Sequence, residues 1–163
     1  MNKSSLNRFE GADGRRRLLE ALRSQPLIRD EGLATEFATC VRLEEVPAGS
    51  TIITEGGFDS DLFLILSGEF SVTIDRHVVA HKRAGEHVGE MAVVDPGARR
   101  SASVTATSKS VVARVAEREF SALADKFPRL WRRIALELAN RLRDEVRCHW
   151  PAGKMVERRE SSV

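Results

Sequence analysis

Two residues of opposite charge, Glu90 and Arg100, stand in one stretch, Gly89-Glu-Met-Ala-Val-Val-Asp-Pro-Gly-Ala-Arg-Arg-Ser-Ala-Ser-Val104. A carboxylate and a guanidinium at that spacing can serve one small molecule that carries both hydroxyls and an anionic group. Gly89 lets the backbone approach closely, and Glu90 to Val93 can make one helical turn whose free N–H groups favour an anion. Arg100 then closes the cradle with a planar fork of donors for the same oxygens. A carboxylate beside an anion repels it, so Glu90 is better placed to accept hydrogen bonds from sugar hydroxyls a short distance away. The competing reading is an ordinary surface ion pair across a hairpin, worth at most ~1 kcal/mol.

The elements around this stretch must hold it. Residues 1–14 are polar and predicted to fray. A helix is expected from Asp13 or Gly14 through Leu22, stopped by Pro26, and a second from Asp30 to Ala38. Arg15, Arg16 and Arg17 share the first helix with a Leu18, Leu19, Leu22 stripe, which reads as a solvated face beside a buried one. Between Val41 and Val115 the pattern changes to short strands separated by turns at Pro47-Ala-Gly49, Gly56-Gly57, Ser67-Gly68 and Asp75-Arg76-His77. Strands at this spacing indicate a closed or sandwiched antiparallel architecture. Two helices follow, Glu117 to Lys126 and one that Pro128 can open. The second carries a stripe of Leu130, Ile134, Leu138, Leu142 and Val146 with Trp131 beside it.

Composition narrows the function. A chain of 163 residues suits one well-packed domain, and a net charge of +2 spread over many charges of both signs gives no polyanion-binding bias, so no nucleic-acid partner is expected. No apolar run reaches the length of a membrane span and the N-terminus lacks a hydrophobic signal core, so the expected setting is cytoplasmic, without a membrane. Cys40 and Cys148 have no Cys-x-x-Cys partner and read as ordinary thiols. His77, His81, His87 and His149 raise a metal-dependent cupin, which needs imidazoles converging on one inward face. His77 falls in a predicted turn and His87 lies beyond Gly85, so no metal site is expected. No nucleophile elbow, Walker loop or His-Glu-x-x-His occurs, so no catalytic centre is expected either.

The 89–104 stretch resembles the phosphate-binding cassette of cyclic nucleotide-binding domains, in which Gly-Glu, a short helix, a loop and Arg-[Ser/Thr]-Ala hold the nucleotide. The resemblance implies an α+β fold: an eight-stranded antiparallel β-roll (jelly roll) with N-terminal helices, a short cassette helix and C-terminal B and C helices. It makes Glu90 the ribose residue and Arg100 the cyclic-phosphate residue. Ser101 and Ala102 supply a hydroxyl and a backbone N–H, and Val88, Gly89, Met91 and Ala92 complete the ligand-binding set. The divisions it implies are a helical segment 1–40, the roll 41–116, the B and C helices 117–149, and a linker or tail 150–163.

From Val112 through Leu142 the spacing matches the catabolite activator protein, whose C helix lids the base and builds the dimer. Here Arg143, Glu145, Val146 and Arg147 occupy that lid region. Where the activator places small hydroxyl residues, this chain has Glu145 and Val146; its carboxylate and arginines can read the N3–H and carbonyls of a pyrimidine, or face water. The activator continues into a helix-turn-helix, which the Pro151-Ala-Gly break and the polar tail do not accommodate. The runs Arg17-Leu-Leu-Glu-Ala-Leu-Arg-Ser-Gln-Pro-Leu27 and Gly85-Glu-His-Val-Gly-Glu-Met-Ala92 are similar to the N-terminal sensors of Pycsar antiphage TIR effectors. That resemblance implies a non-catalytic receptor for a 3',5'-cyclic pyrimidine nucleotide, cUMP or else cCMP, acting as a homodimer or higher assembly through the C helix. Any NAD-degrading activity then resides in an attached TIR domain. A cAMP or cGMP receptor of another bacterial regulator is the alternative, and a nucleotide-blind structural domain a further one.

Overall fold

A computed structural model describes residues 5–149, so the linker or tail expected over 150–163 lies outside the described residues, as do residues 1–4. The chain is α+β, as expected; the described residues form eight strands in two four-stranded antiparallel sheets, with helices before and after them. One sheet has the order β1 (Arg42–Val46), β8 (Ser110–Val115), β3 (Leu62–Ser67), β6 (His87–Val88). The other has β2 (Thr51–Ile53), β7 (Ser103–Ala106), β4 (Glu69–Ile74), β5 (His77–Arg83). Sequential strands therefore alternate between the sheets except at the β4–β5 hairpin, which lies within one of them, and this alternation closes the roll.

The apolar run of β3 explains why there are two cores. Successive strand side chains point to opposite faces. Leu62, Leu64 and Leu66 join the core under the helices, whereas Phe63 and Ile65 join the roll interior with Phe70, Val88, Val104 and Val112. β8 divides the same way, with Val111, Ala113 and Val115 under the helices. A strand covered on both sides needs no polar alternation, so it reads as a continuous hydrophobic stretch.

The helical layer starts earlier than the sequence predicts. Ser5–Phe9 forms a 3-10 turn and α1 spans Gly11–Arg23. Phe9 is buried, and Gly14 packs so tightly on its backbone that a Cβ there would sit 2.2 Å from the Phe9 carbonyl carbon. That anchor, not local propensity, orders a segment whose composition looks frayed. α1 buries Leu18 and Leu22 and leaves Arg15, Arg16 and Arg17 in water. α2 (Glu31–Cys40) is capped by Asp30, whose side chain accepts from Leu33 N at 2.9 Å.

At the other end, α4 (Glu117–Lys126) and α5 (Arg129–His149) follow the sheet. Phe120 of α4 meets Phe37 of α2 with ring centroids 6.3 Å apart and Trp131 of α5 edge-on at 5.5 Å. With Leu130 and Ile134 fully buried, this cluster fixes the first two turns of α5. Helical rise then carries residues 137–141 along the sheet edge to the cassette.

His77 is not in a turn. Asp75 and Arg76, at φ 48° and 67°, make a two-residue hairpin loop, and His77 pairs with Ile74 as the first residue of β5. His77 and His81 are both exposed. Among the described residues no three His, Cys, Asp or Glu side chains converge as a metal site would require, and no helix is long and apolar enough to cross a membrane.

Candidate functional site

Gly89 sits at the junction that brings the two charged residues together. It follows β6, adopts φ 92° and precedes α3 (Glu90–Val94). A Cβ at this position would lie 2.7 Å from the Asp61 carbonyl oxygen and 2.8 Å from Arg100 Nη1. Both the left-handed backbone and the close packing therefore require glycine. Val88 on one side faces the roll interior, and Ala92 and Val93 on the other are buried, so the short helix is pinned at both ends.

Arg100 is only 5% exposed and its guanidinium is held from several sides. Nε and Nη2 both donate to Asp59 Oδ2, at 3.1 and 2.5 Å. Nη2 also donates to the Asp61 carbonyl at 2.7 Å, and Nη1 reaches the Gly89 carbonyl at 3.4 Å. The Arg100 backbone is fixed as well, its N–H donating to Gly57 O and its carbonyl accepting from Gly56 N, each at 2.8 Å. Asp61 is anchored in turn by Arg114, whose Nε donates to Asp61 Oδ2 at 2.5 Å. A guanidinium has five N–H donors. Four are used here, and the Nη1 contact is long, so the Nη1 corner beside Gly89 is the part able to bind an anion.

Glu90 is 3% exposed and paired differently. Its Oε1 accepts from Arg141 Nη1 of α5, and Arg141 Nη2 donates to Glu137 Oε1 at 2.7 Å. Glu137 Oε2 lies 3.0 Å from His87 Nε2. That contact has an ion-pair separation without hydrogen-bond angles, and both His87 ring nitrogens are buried without a hydrogen bond. Burial pushes the Glu137 carboxyl up, but the His87 imidazole and the Arg141 guanidinium outweigh it and hold the group at about 2.

The structure thus brings Val88, Gly89, Glu90, Ala92 and Arg100 into one place. Met91 and Ser101 lie at its exposed rim, with Ser101 Oγ 3.6 Å from Met91 Sδ, and Ala102 is half-buried behind them. Arg143, Glu145, Val146 and Arg147 are exposed on α5 beyond Arg141, and Arg143 donates to Asn140 Oδ1 at 2.6 Å. The sequence does not single out Asp59, Glu137 or Arg141. Glu137 and Arg141 carry the helix spacing of an i,i+4 pair, the one signal that can mark them, but it does not reveal that Arg141 turns towards Glu90.

Two further features stand beside this arrangement. An open cleft of about 330 Å³ runs between the 26–29 connector, β6 and α5; His87 and Glu137 line it, but neither Glu90 nor Arg100 does. Cys40 and Cys148 are free thiols, and burial together with Glu119 pushes Cys40 up to about 11, which makes it a poor nucleophile.

Comparison with known proteins agrees with the geometry. The family model described as "Cyclic nucleotide-binding domain" matches residues 43–127. The chain is 41% identical over 138 residues to the Pycsar effector protein BcPycTIR of Burkholderia cepacia, covering 84% of this chain and 46% of that one. It is 42% identical over 138 residues to the Pycsar effector protein XpPycTIR of Xanthomonas perforans, with the same coverage. It therefore spans less than half the length of these curated relatives. The Thermus thermophilus catabolite activator protein structure superposes with a TM-score of 0.68 at 26% identity, over 74% of this chain and 60% of that one. With the roll, the Gly89–Glu90 turn and the buried Arg100 all in place, the chain belongs to the cyclic nucleotide-binding domain family.

Proposed function

We propose that the chain is the sensor of an antiphage effector: it binds a cyclic pyrimidine mononucleotide, cUMP or else cCMP, and so controls an attached TIR domain that degrades NAD. The observation that carries the binding half is the buried pair of Glu90 and Arg100 on either side of Gly89, with the Nη1 corner of Arg100 turned to that glycine. The cyclic phosphate takes that corner, and the ribose hydroxyls donate to Glu90. The defence half is supported by the identity to the two Pycsar effectors.

The base lies under α5, where Arg143, Glu145, Val146 and Arg147 present a carboxylate and two guanidiniums able to meet the N3–H and carbonyls of a pyrimidine. α5 also joins the sensor to a second copy, because its stripe continues past the core into exposed Leu142 and Val146. A ligand held between roll and helix shifts the helix only as far as it binds one helix position better than another.

Calorimetric titration with cyclic UMP, CMP, AMP and GMP tests this directly. A pyrimidine preference is expected, together with NAD loss triggered by the same nucleotide in the protein that carries this sensor. The alternative, a receptor for cyclic AMP or GMP, is favoured by the likeness to the Thermus activator and to the Toxoplasma gondii PKA regulatory domain crystallised with cAMP, TM-score 0.63. Preference for a purine nucleotide selects that alternative, and silence towards all four removes both.

A further inference from the structure

The cleft between the 26–29 connector, β6 and α5 carries charge that its own walls do not cancel. Lys82 lines it, but its Nζ lies 3.2 Å from Glu86 Oε1, so that pair is neutral. Glu137 is taken by Arg141 at 2.7 Å and by His87 at 3.0 Å. What remains is Arg29 and Arg133. Among the described residues the Arg29 guanidinium has no hydrogen-bond or ion-pair partner. Arg29 also stands at φ 58°, a left-handed backbone that glycine adopts at no cost and an arginine does not.

Arg133 is held in place without being neutralised. Its Nη1 donates to Leu27 O at 2.7 Å and to Ile28 O, which fixes the guanidinium against the connector. The Nε–Nη2 edge makes no hydrogen bond among the described residues, and Nη2 lies 3.9 Å from Asp30 Oδ2, too far for one. Asp30 is itself shared, since its Oδ1 accepts from Arg129 Nη2 at 3.1 Å and from Leu33 N at 2.9 Å. Nε and Nη2 are the two parallel donors with which an arginine grips an oxyanion side-on. Apolar surface lies beside these charges, because Leu136 of α5 is 51% exposed and lines the same cleft as Pro26. His87, buried and without a hydrogen bond on either ring nitrogen, forms part of the wall.

We propose that this cleft is a second binding site, for a small organic oxyanion: a carboxylate or phosphate gripped by the Nε–Nη2 edge of Arg133 and by Arg29, on a compact apolar body that covers Leu136 and Pro26. It is separate from the cassette, because neither Glu90 nor Arg100 lines it, and it stands whether or not the cassette takes a cyclic nucleotide. A volume of about 330 Å³ is at the low end for ligand cavities, roughly 300–1,000 Å³, so the occupant is a single ring with its charged group and not an extended chain. Held by Arg29 on one side and Arg133 on the other, it bridges the connector and α5. The cleft is open, so added salt weakens the grip.

The test is an amide NMR titration of the chain with phenyl phosphate, benzoate, benzamide and inorganic phosphate. Benzamide has the ring without the charge, and inorganic phosphate has the charge without the ring. Phenyl phosphate or benzoate should shift the amides of residues 26–30, 82–87 and 133–140, with benzamide binding at least about tenfold more weakly. Whichever anion binds the tighter names the head group, and either result supports the site. Arg133→Gln should weaken binding about tenfold, and Arg29→Gly, which suits the left-handed backbone, at least about threefold. Leu136→Ser should weaken phenyl phosphate about threefold and leave inorganic phosphate unchanged. The shifts should persist in Arg100→Ala, since Arg100 lies outside the cleft.

Equal binding of benzamide, absence of shifts at the cleft with both anions, or shifts that Arg29→Gly and Arg133→Gln leave unchanged each overturn the inference. Loss of the shifts in Arg100→Ala places the probe at the cassette and overturns it as well. Inorganic phosphate binding as tightly as phenyl phosphate reduces the cleft to a trap for charge and overturns the organic class. If Arg133→Gln does not fold, Arg29→Gly and Leu136→Ser decide by the same ratios, since neither removes a side-chain hydrogen bond of the fold.

Discussion

The two halves of the site are held by different parts of the molecule. Arg100 is gripped within the roll, by Asp59, Asp61 and Gly89 and by the paired backbone bonds to Gly56 and Gly57. Glu90 is gripped from outside the roll, by Arg141 on a helix that touches the sheet firmly only in its first two turns. The Arg100 half is preformed and independent of α5, whereas the Glu90 half is complete only when that helix is in place. A ligand that spans both halves ties α5 to the roll, as the sensor role proposed above requires.

The comparison breaks most visibly at Arg100. Arg100→Ala removes the charge-assisted phosphate contact proposed for it, and binding of any cyclic nucleotide in a calorimetric titration should fall by a hundredfold or more, roughly 3 kcal/mol. Amide exchange in α5 should stay as it is, because none of the Arg100 hydrogen bonds reaches that helix. Normal affinity in a folded Arg100→Ala protein removes the assignment.

Asp59 sharpens the same half. It occupies the Nε–Nη2 edge of Arg100 and leaves Nη1, so it orients the fork and does not block it. Asp59→Ala leaves a buried guanidinium without its counter-charge. Affinity should fall by about tenfold, an intermediate loss set by disordering and not by deletion of the donor. Thermal stability should fall as well, measured by unfolding of the same sample. A rise in affinity instead shows that Asp59 competes with the phosphate.

The Glu90–Arg141–Glu137 half responds to acid. With the Glu137 carboxyl held at about 2, below the ordinary 4.5, ionised Glu137 stabilises the fold above pH 4.5. That contribution is lost as pH falls from about 4.5 towards 2, where the folded protein finally binds the proton the unfolded chain already holds. Thermal unfolding across this range should show Glu137→Gln less stable than the unaltered protein at pH 6, with the gap closing by pH 3. A constant gap places the effect of Glu137 in packing and not in charge.

How far the sequence foretold these halves follows from where the contacts lie. The strands, their turns and the Gly89–Glu90 to Arg100 spacing are local patterns, and the roll and the cassette follow from them. Asp59 meets Arg100 only because the loop after β2 folds back on the cassette, and Arg141 meets Glu90 only because Phe120, Trp131 and Ile134 set the path of α5. Such contacts depend on how whole elements dock, and a stripe or a spacing does not encode them. The early start of α1 is of the same kind, fixed by Phe9 and Gly14 packing together.

The smallest expected effect on the fold lies at the far end of α5. Leu130 and Ile134 are fully buried and Leu138 packs at the edge of the core, but Leu142 is 62% exposed and Val146 56%. One stripe thus serves two purposes: its first part holds the helix to its own sheet, and the rest faces outward. Replacing both Leu142 and Val146 by serine removes no core contact, so the monomer's unfolding free energy should change by no more than about 0.5 kcal/mol. If a second copy covers these residues, as proposed, the same double variant should shift the mass in solution from dimer to monomer, read by light scattering. The position of that shift on the concentration axis then measures how much of the helix is held by the partner and how much by Arg141. An unchanged mass assigns the outer stripe to some other occupant and leaves the Glu90–Arg141 contact as the main restraint on this part of α5.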